Sequence, residues 1–296
     1  MRAEPERHNT TLLAAWTLLS LAALTALYYR TFVALWPRWA HEAAYQHCVL
    51  VPFIVIGLVW FHRGRLAELR PTASPGGFAL LIPGLALCYL GYLTGARSLV
   101  GLSFPIVLMG LLALGLGWGY LRVLGFPLAL FLFAVPFPRH ILGIVAMPMQ
   151  LVSSTLTAAC TRLFGIPVYQ EGVNIVLPSF QFVVAEECSG LNSLLALFLT
   201  CGVVTELQGL QVWQKLAVYA VTPLIVIVAN VVRLMSVVLL GEIIGEKFAL
   251  NHLIHGSADV AVYLPAFLLV WGLCNALRAL SSRESKALCE TEECPA

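Results

Sequence analysis

The chain has 296 residues, of which 60% are hydrophobic and 11% charged, with a formal net charge of +2. An ordinary soluble domain carries roughly 25% charged residues, so this composition describes a polytopic membrane protein. The small net charge and the lack of a basic patch interleaved with aromatics exclude nucleic acid as a partner.

Apolar runs long enough for about 30 Å of hydrocarbon predict eight spans. They run from Thr11 to Leu35, Cys48 to Phe61, Gly77 to Leu93, Ser103 to Leu121, Leu124 to Phe137, Cys188 to Thr205, Lys215 to Ile243 and Ser257 to Leu280. The second and fifth are short. The first run is longer than a signal-peptide core and lacks a small-residue cleavage site, so it reads as a retained span. The loop from His62 to Pro75 carries Arg63, Arg65 and Arg70, and cytoplasmic loops concentrate such residues. With that loop inside, both termini face the cytoplasm, while Arg30, Arg38, Arg97, Arg139, Arg162 and Lys247 lie outside.

The segment from Ile141 to Phe164 is apolar, yet holds Pro148, Gln150, Ser153, Ser154, Thr155, Thr157 and Thr161. Counting it as a ninth crossing would invert the first half against its arginines, so it is predicted to be an interfacial helix on the outer surface. From Gly165 to Val184 the pattern changes to short β-favouring runs separated by Gly172 and Pro178-Ser179, which predicts a small β-hairpin. Such backbone has to lie outside the bilayer or be shielded by helices. The fold class is therefore an all-α polytopic membrane protein with about eight transmembrane helices, an outer-face interfacial helix and a small β-hairpin before a cysteine, Cys188. One integral domain over residues 1–280 is expected, followed by a short acidic cytoplasmic tail, 281–296.

Cys48, Cys88, Cys160, Cys201 and Cys274 sit in apolar runs, as small buried hydrophobes do, and form no disulfide framework. Cys289 and Cys294 lie in the acidic tail, with no histidine or second cysteine pair nearby to make a metal site. Cys188 is different. It stands in Ala185-Glu186-Glu187-Cys188-Ser189-Gly190-Leu191, where the polar segment becomes an apolar helix. The positive end of a helix stabilises a thiolate, and the adjacent Glu186 and Glu187 oppose it. Reactivity there depends on which cation meets the sulfur.

Charges predicted at membrane depth are functional candidates, because an unpaired one costs several kcal/mol. Arg233 is the clearest. Asn230, Arg233 and Ser236 recur every three residues and are expected to share one inward face. The plainer reading is that Arg233 snorkels, or pairs with a helix carboxylate such as Glu242, only to hold the bundle. The third candidate is His255, with Asp259 four residues on to orient its imidazole and His252 as a rival. A lone interfacial histidine is more commonly a solvated loop residue; the predicted topology, which brings Cys188, Arg233 and His255 to one depth, favours a site. A thiolate attacks an acyl carbon, a histidine carries the proton to the leaving amine, and a cation steadies the oxyanion.

The residues from Pro136 to Trp271 resemble the exosortase/archaeosortase family. The resemblance rests on Met147-Pro148-Met149-Gln150-Leu151, on Leu163-Phe164-Gly165-Ile166-Pro167-Val168-Tyr169-Gln170-Glu171-Gly172 and on Ile175-Val176-Leu177-Pro178. It continues through Val184-Ala185-Glu186-Glu187-Cys188-Ser189-Gly190-Leu191 and Asn230-Val231-Val232-Arg233-Leu234. It implies a membrane-embedded cysteine protease or transpeptidase that processes exported proteins carrying a C-terminal sorting signal. Cys188, Arg233 and His255 would be catalytic, with Asn230, Glu187, Asp259 and His252 in supporting positions. The implied setting is the cytoplasmic (inner) membrane, with the site on the extracytoplasmic side and no metal or organic cofactor. Partners would be C-terminally anchored substrate proteins and membrane lipid, with the acceptor nucleophile left open. Glu187 stands where a small residue is common in the family, Asn192 where arginine is frequent, and Asp259 where many members have glycine.

The rival class is a non-enzymatic multi-pass transporter or exopolysaccharide assembly factor, with Asn230, Arg233 and Asp259 lining a polar path. A transporter would tend to show repeated halves, and the sequence has none. A third reading keeps the fold but has the thiol disabled by Glu186 and Glu187.

Overall fold

The structure is a computed structural model describing residues 4–137, 139–185, 189–245 and 263–281. Among the described residues, six helices are long and apolar enough to cross a membrane: Ala15–His41, Pro75–Thr94, Arg97–Gly115, Ile141–Leu163, Val212–Ile244 and Tyr263–Ser281. Three shorter apolar helices, Tyr45–Phe61, Trp118–Ala134 and Leu191–Leu207, accompany them. The expected count of eight spans is not confirmed: among the described residues six helices are of spanning length and three are shorter. The chain forms two compact units, Met1–Pro138 and Arg139–Ala296.

The first unit contains α1 (Glu4–His41), α2 (Val51–Phe61), α3 (Arg63–Ala67), α4 (Phe78–Thr94), α5 (Arg97–Gly115) and α6 (Trp118–Ala129). Short 3-10 turns run over Ala43–Leu50, Pro75–Gly77 and Leu130–Ala134. Along α1, Leu24, Tyr28, Thr31, Leu35 and Trp39 form a buried stripe at helical spacing, while Leu18, Tyr29, Val33 and Trp36 are exposed, as lipid-facing residues would be. Tyr28 Oη and Ser103 Oγ share a hydrogen bond of 2.8 Å that ties α1 to α5.

The α4–α5 hairpin closes on glycine. Gly77, Gly84 and Gly91 recur every seven residues; a Cβ at Gly77 would lie 2.6 Å from Leu114 N, and one at Gly91 2.8 Å from Val100 N. Without side chains at the seam, two backbones approach closely enough for dispersion to hold them in lipid.

The second unit contains α7 (Arg139–Leu163), β1 (Tyr169–Glu171), β2 (Asn174–Val176), β3 (Gln181–Val183), α8 (Leu191–Leu207), α9 (Val212–Ile244) and α10 (Tyr263–Ser281). The segment expected to lie in the interface is α7, and its Ile141–Leu163 portion is of spanning length. Thr155 is exposed, but most of the polar residues of α7 are not. Gln150, Ser153, Ser154, Thr157 and Thr161 are all buried. Ser153 Oγ accepts from Asn230 Nδ2 at 3.1 Å and Thr161 Oγ1 donates to Met235 Sδ at 3.4 Å, both on α9. Ser154 and Thr161 also donate back to carbonyls one turn earlier, at 2.8 Å each. This burial does not support the interfacial reading: serine and threonine on a membrane helix can satisfy themselves against a neighbouring helix or their own backbone.

These bonds fix directions. From Ser153–Asn230 to Thr161–Met235 both numbers rise, so α7 and α9 run the same way. Cys201 Sγ meets Thr222 Oγ1 at 3.2 Å and Glu206 pairs with Lys215, so α8 runs against α9. Thr200 Oγ1 meets Tyr263 Oη at 2.6 Å and Gln208 Nε2 donates to Asn275 Oδ1 at 3.1 Å, so α10 runs with α8. The four helices alternate. The end of α7, the start of α8, the end of α9 and the start of α10 therefore share one end of this unit.

The expected hairpin is a three-stranded antiparallel meander, in the order β1-β2-β3. Glu171 pairs with Asn174 around Gly172, whose φ of 60° belongs to the left-handed region, and Asn174 pairs with Val183. The sheet has one apolar side. Ile175, Leu177, Phe180 and Val184 pack on Leu234 and Val238 of α9. Phe180 also lies over Gly241, where a Cβ would collide with its ring.

Among the described cysteines, Cys48, Cys88, Cys201 and Cys274 are free and buried, and Cys160 is free and half-buried. Residues 282–296, the expected tail, lie outside the described residues.

Candidate functional site

The site begins with a charge in an apolar helix. Of the 33 residues of α9, Asn230 and Arg233 are the strongly polar pair buried near its middle, 3% and 7% exposed. Ser236 does not continue the stripe: it is exposed and donates to Val232 O at 2.9 Å. A step of three residues falls about 60° short of a turn, so six residues carry a side chain about 120° round the helix. Glu242, the carboxylate considered as a partner for Arg233, accepts instead from Ser179 Oγ at 2.6 Å and so tethers the turn before β3.

Asn230 is fixed from two sides. On one, its Nδ2 donates to the fully buried Ser153 of α7. On the other lies Gly190, the N-cap of α8, with φ 81° and ψ 0°. A Cβ at Gly190 would stand 3.4 Å from both Cβ and Cγ of Asn230 and 3.2 Å from Val226 Cγ1. Both the positive φ and this close approach favour glycine. The helix start is secured by Ser189, whose Oγ accepts from Leu191 N at 3.1 Å, and by Gly190 O, which accepts from Leu194 N at 2.9 Å.

Gly190, Ser193, Asn230, Arg233 and Tyr263 together line a narrow cleft. Its walls come from α8, α9 and α10. An arginine here offers a planar, permanently charged donor fork in a surrounding of low dielectric, which suits binding a carbonyl oxygen that gains negative charge.

Of the residues singled out in the sequence, Arg233 and Asn230 come together in this cleft. Cys188 and Glu187, and likewise His252, His255 and Asp259, lie outside the described residues. The chain on either side of residues 186–188 is described: Val184 is in the core under the sheet and Gly190 is on Asn230. Two contributors were not legible as such, Ser153 and Tyr263. The signal for Ser153 was its place in a serine and threonine stripe at helical spacing.

A buried Asn–Arg face on a long apolar helix, a sheet docked on that helix, and a short polar segment leading from the sheet to the cleft define an integral membrane protein with an enclosed polar site at one end of a helical unit. The family model described as Transmembrane exosortase (Exosortase_EpsH) matches residues 39–272, well over half of the chain. The chain belongs to the transmembrane exosortase family. Neither a curated protein nor a solved structure matches it.

Proposed function

We propose that this chain is a membrane cysteine transpeptidase that cleaves a C-terminal sorting signal of exported proteins, with Cys188 as nucleophile. The observation that carries the reading is the seat of Gly190, two residues beyond Cys188, on Asn230 in the same cleft as Arg233. Family membership supports the class of chemistry.

In the proposed reaction the Cys188 thiolate attacks the carbonyl carbon of the scissile peptide bond. Arg233 stabilises the oxyanion or holds the substrate carbonyl. The C–N bond breaks as His255 gives its proton to the leaving amine, and the acyl group stays on sulfur as a thioester. An acceptor amine, deprotonated by His255, then takes the acyl group and frees the thiol; water in its place gives hydrolysis. Asp259 orients His255, Asn230 supports the cleft, Glu187 is the alternative partner for Arg233, and His252 is the competing histidine.

Depth supports the assignment. A helix of 33 residues is about 50 Å long against about 30 Å of hydrocarbon. The sheet packs on α9 from Leu234 to Gly241, and strands need water or protein around them. Arg233 then falls near the boundary, where a bond next to a substrate's transmembrane tail would lie. That end is proposed to face the extracytoplasmic side of the cytoplasmic membrane.

The test is processing of a tail-anchored substrate in cells, followed by gel shift. Cys188→Ala should abolish processing, and Arg233→Lys should lower it about a hundredfold or more, since an ammonium does not reproduce the guanidinium fork. Unchanged processing in Cys188→Ala would sink the assignment of Cys188 as nucleophile.

A further inference from the structure

The first unit holds a charged feature that the chemistry at Cys188 does not use. Where α1 meets the turn between α4 and α5 there is a cleft of about 620 Å³, counting the part open to solvent. Arg30 of α1 and Arg97, the first residue of α5, both line it. Among the described residues neither arginine has a hydrogen-bond or ion-pair partner.

Both arginines are exposed, and two like charges lining one cleft concentrate positive potential that an anion would neutralise. Among the described residues no carboxylate lines it. In residues 15–137 the carboxylates are Glu42 and Glu68. Arg38 holds Glu42 with Nε at 2.9 Å and Nη2 at 3.5 Å, and Glu68 follows α3 and does not line the cleft.

The rest of the lining suits an anion as well. Thr31 is 5% exposed and its hydroxyl has no hydrogen-bond partner among the described residues, so it is an available donor. The start of the 19-residue α5 adds the positive end of a helix. Gly95, with φ 68°, has nothing within 4 Å of where a Cβ would stand, leaving the backbone open. Tyr92 is already committed, its Oη donating to Leu27 O at 2.5 Å.

The surroundings indicate where the anion comes from. Tyr29, Val33, Leu90 and Leu93 beside the cleft are exposed and apolar, a surface for acyl chains. We propose that Arg30, Arg97 and Thr31 form a binding site for the phosphate group of an anionic phospholipid, independent of the reaction at Cys188.

Native mass spectrometry of the full-length protein, delipidated in detergent and offered phosphatidylglycerol or phosphatidylcholine, tests this. The wild type should retain phosphatidylglycerol in preference to phosphatidylcholine. Arg30→Gln and Arg97→Gln should each weaken that retention about fivefold. Arg38→Gln, whose guanidinium is already held by Glu42, should leave it unchanged. Equal retention of the two lipids by the wild type, or full retention of phosphatidylglycerol by the Arg30→Gln/Arg97→Gln variant, would overturn the site. Displacement of phosphatidylglycerol by inorganic phosphate would overturn the lipid as its occupant in favour of a free phosphate; failure to displace it supports the lipid.

Discussion

Gly190 and Asn230 lie in contact across α8 and α9: a Cβ at position 190 would be 3.4 Å from Asn230 Cγ, and the glycine's φ is 81°. That contact ties the segment carrying the proposed nucleophile to the face carrying Arg233. Gly190→Ala should cost about 1–2 kcal/mol from the left-handed backbone, read as a lower unfolding temperature in detergent. It should also lower processing by more than the lost fold accounts for, because the start of α8 has to move off Asn230. A variant that unfolds earlier yet processes normally when folded would separate Gly190 from the site.

The hydrogen bond from Asn230 to Ser153 is expected to hold the asparagine amide in place. Ser153→Ala leaves a buried donor without that acceptor, at a cost of about 1–3 kcal/mol. Once Asn230 is alanine, the same change should cost much less. Thermal unfolding of the two single variants and the double variant gives the coupling directly, and simple additivity would count against it.

Docking of the sheet depends on a glycine as well. At Gly241 a Cβ would enter the ring of Phe180. Gly241→Ala should therefore destabilise the unit by about 1–3 kcal/mol through overpacking, and Phe180→Leu in the same chain should recover part of the loss. No recovery would mean that the glycine acts through α9 itself.

Much of this architecture was readable in advance, and the misses share a cause. Arg233 and Asn230 stood out because charge and amide are costly in an apolar run, and the structure buries both. Ser236, three residues further, was grouped with them on spacing alone, although the rotation accumulated over six residues carries it to the exposed side. The β-favouring runs of the expected hairpin were placed correctly, but they pair as three strands rather than two, since runs this short do not show in sequence how many of them pair. The polar residues of α7 were taken for a wet face. A sequence shows how many hydroxyls a helix carries, not whether water or another helix meets them. Ser153 was hidden by the same ambiguity.

Membrane sidedness depends on how many of the intervening helices cross. Between residues 62–75, with three arginines, and the sheet lie α4, α5, the shorter Trp118–Ala134 helix and α7. Reporter domains inserted at the Gly172 turn and after Glu68 measure each side separately. The proposed function expects the Gly172 reporter outside the cytoplasm, and the arginines favour the Glu68 reporter within it. Opposite faces require an odd number of crossings among those four helices. A cytoplasmic Gly172 reporter would contradict the orientation of the site.

The most direct measurement is the mass of the intact protein after incubation with a substrate carrying its sorting signal, in the His255→Ala background where resolution of the intermediate should stall. The account predicts an added mass equal to the substrate's N-terminal portion, removed by hydroxylamine and absent when Cys188 is also alanine, with His252→Ala turning over normally. An adduct that persists without Cys188, or substrate cleaved in Cys188→Ala, would contradict it.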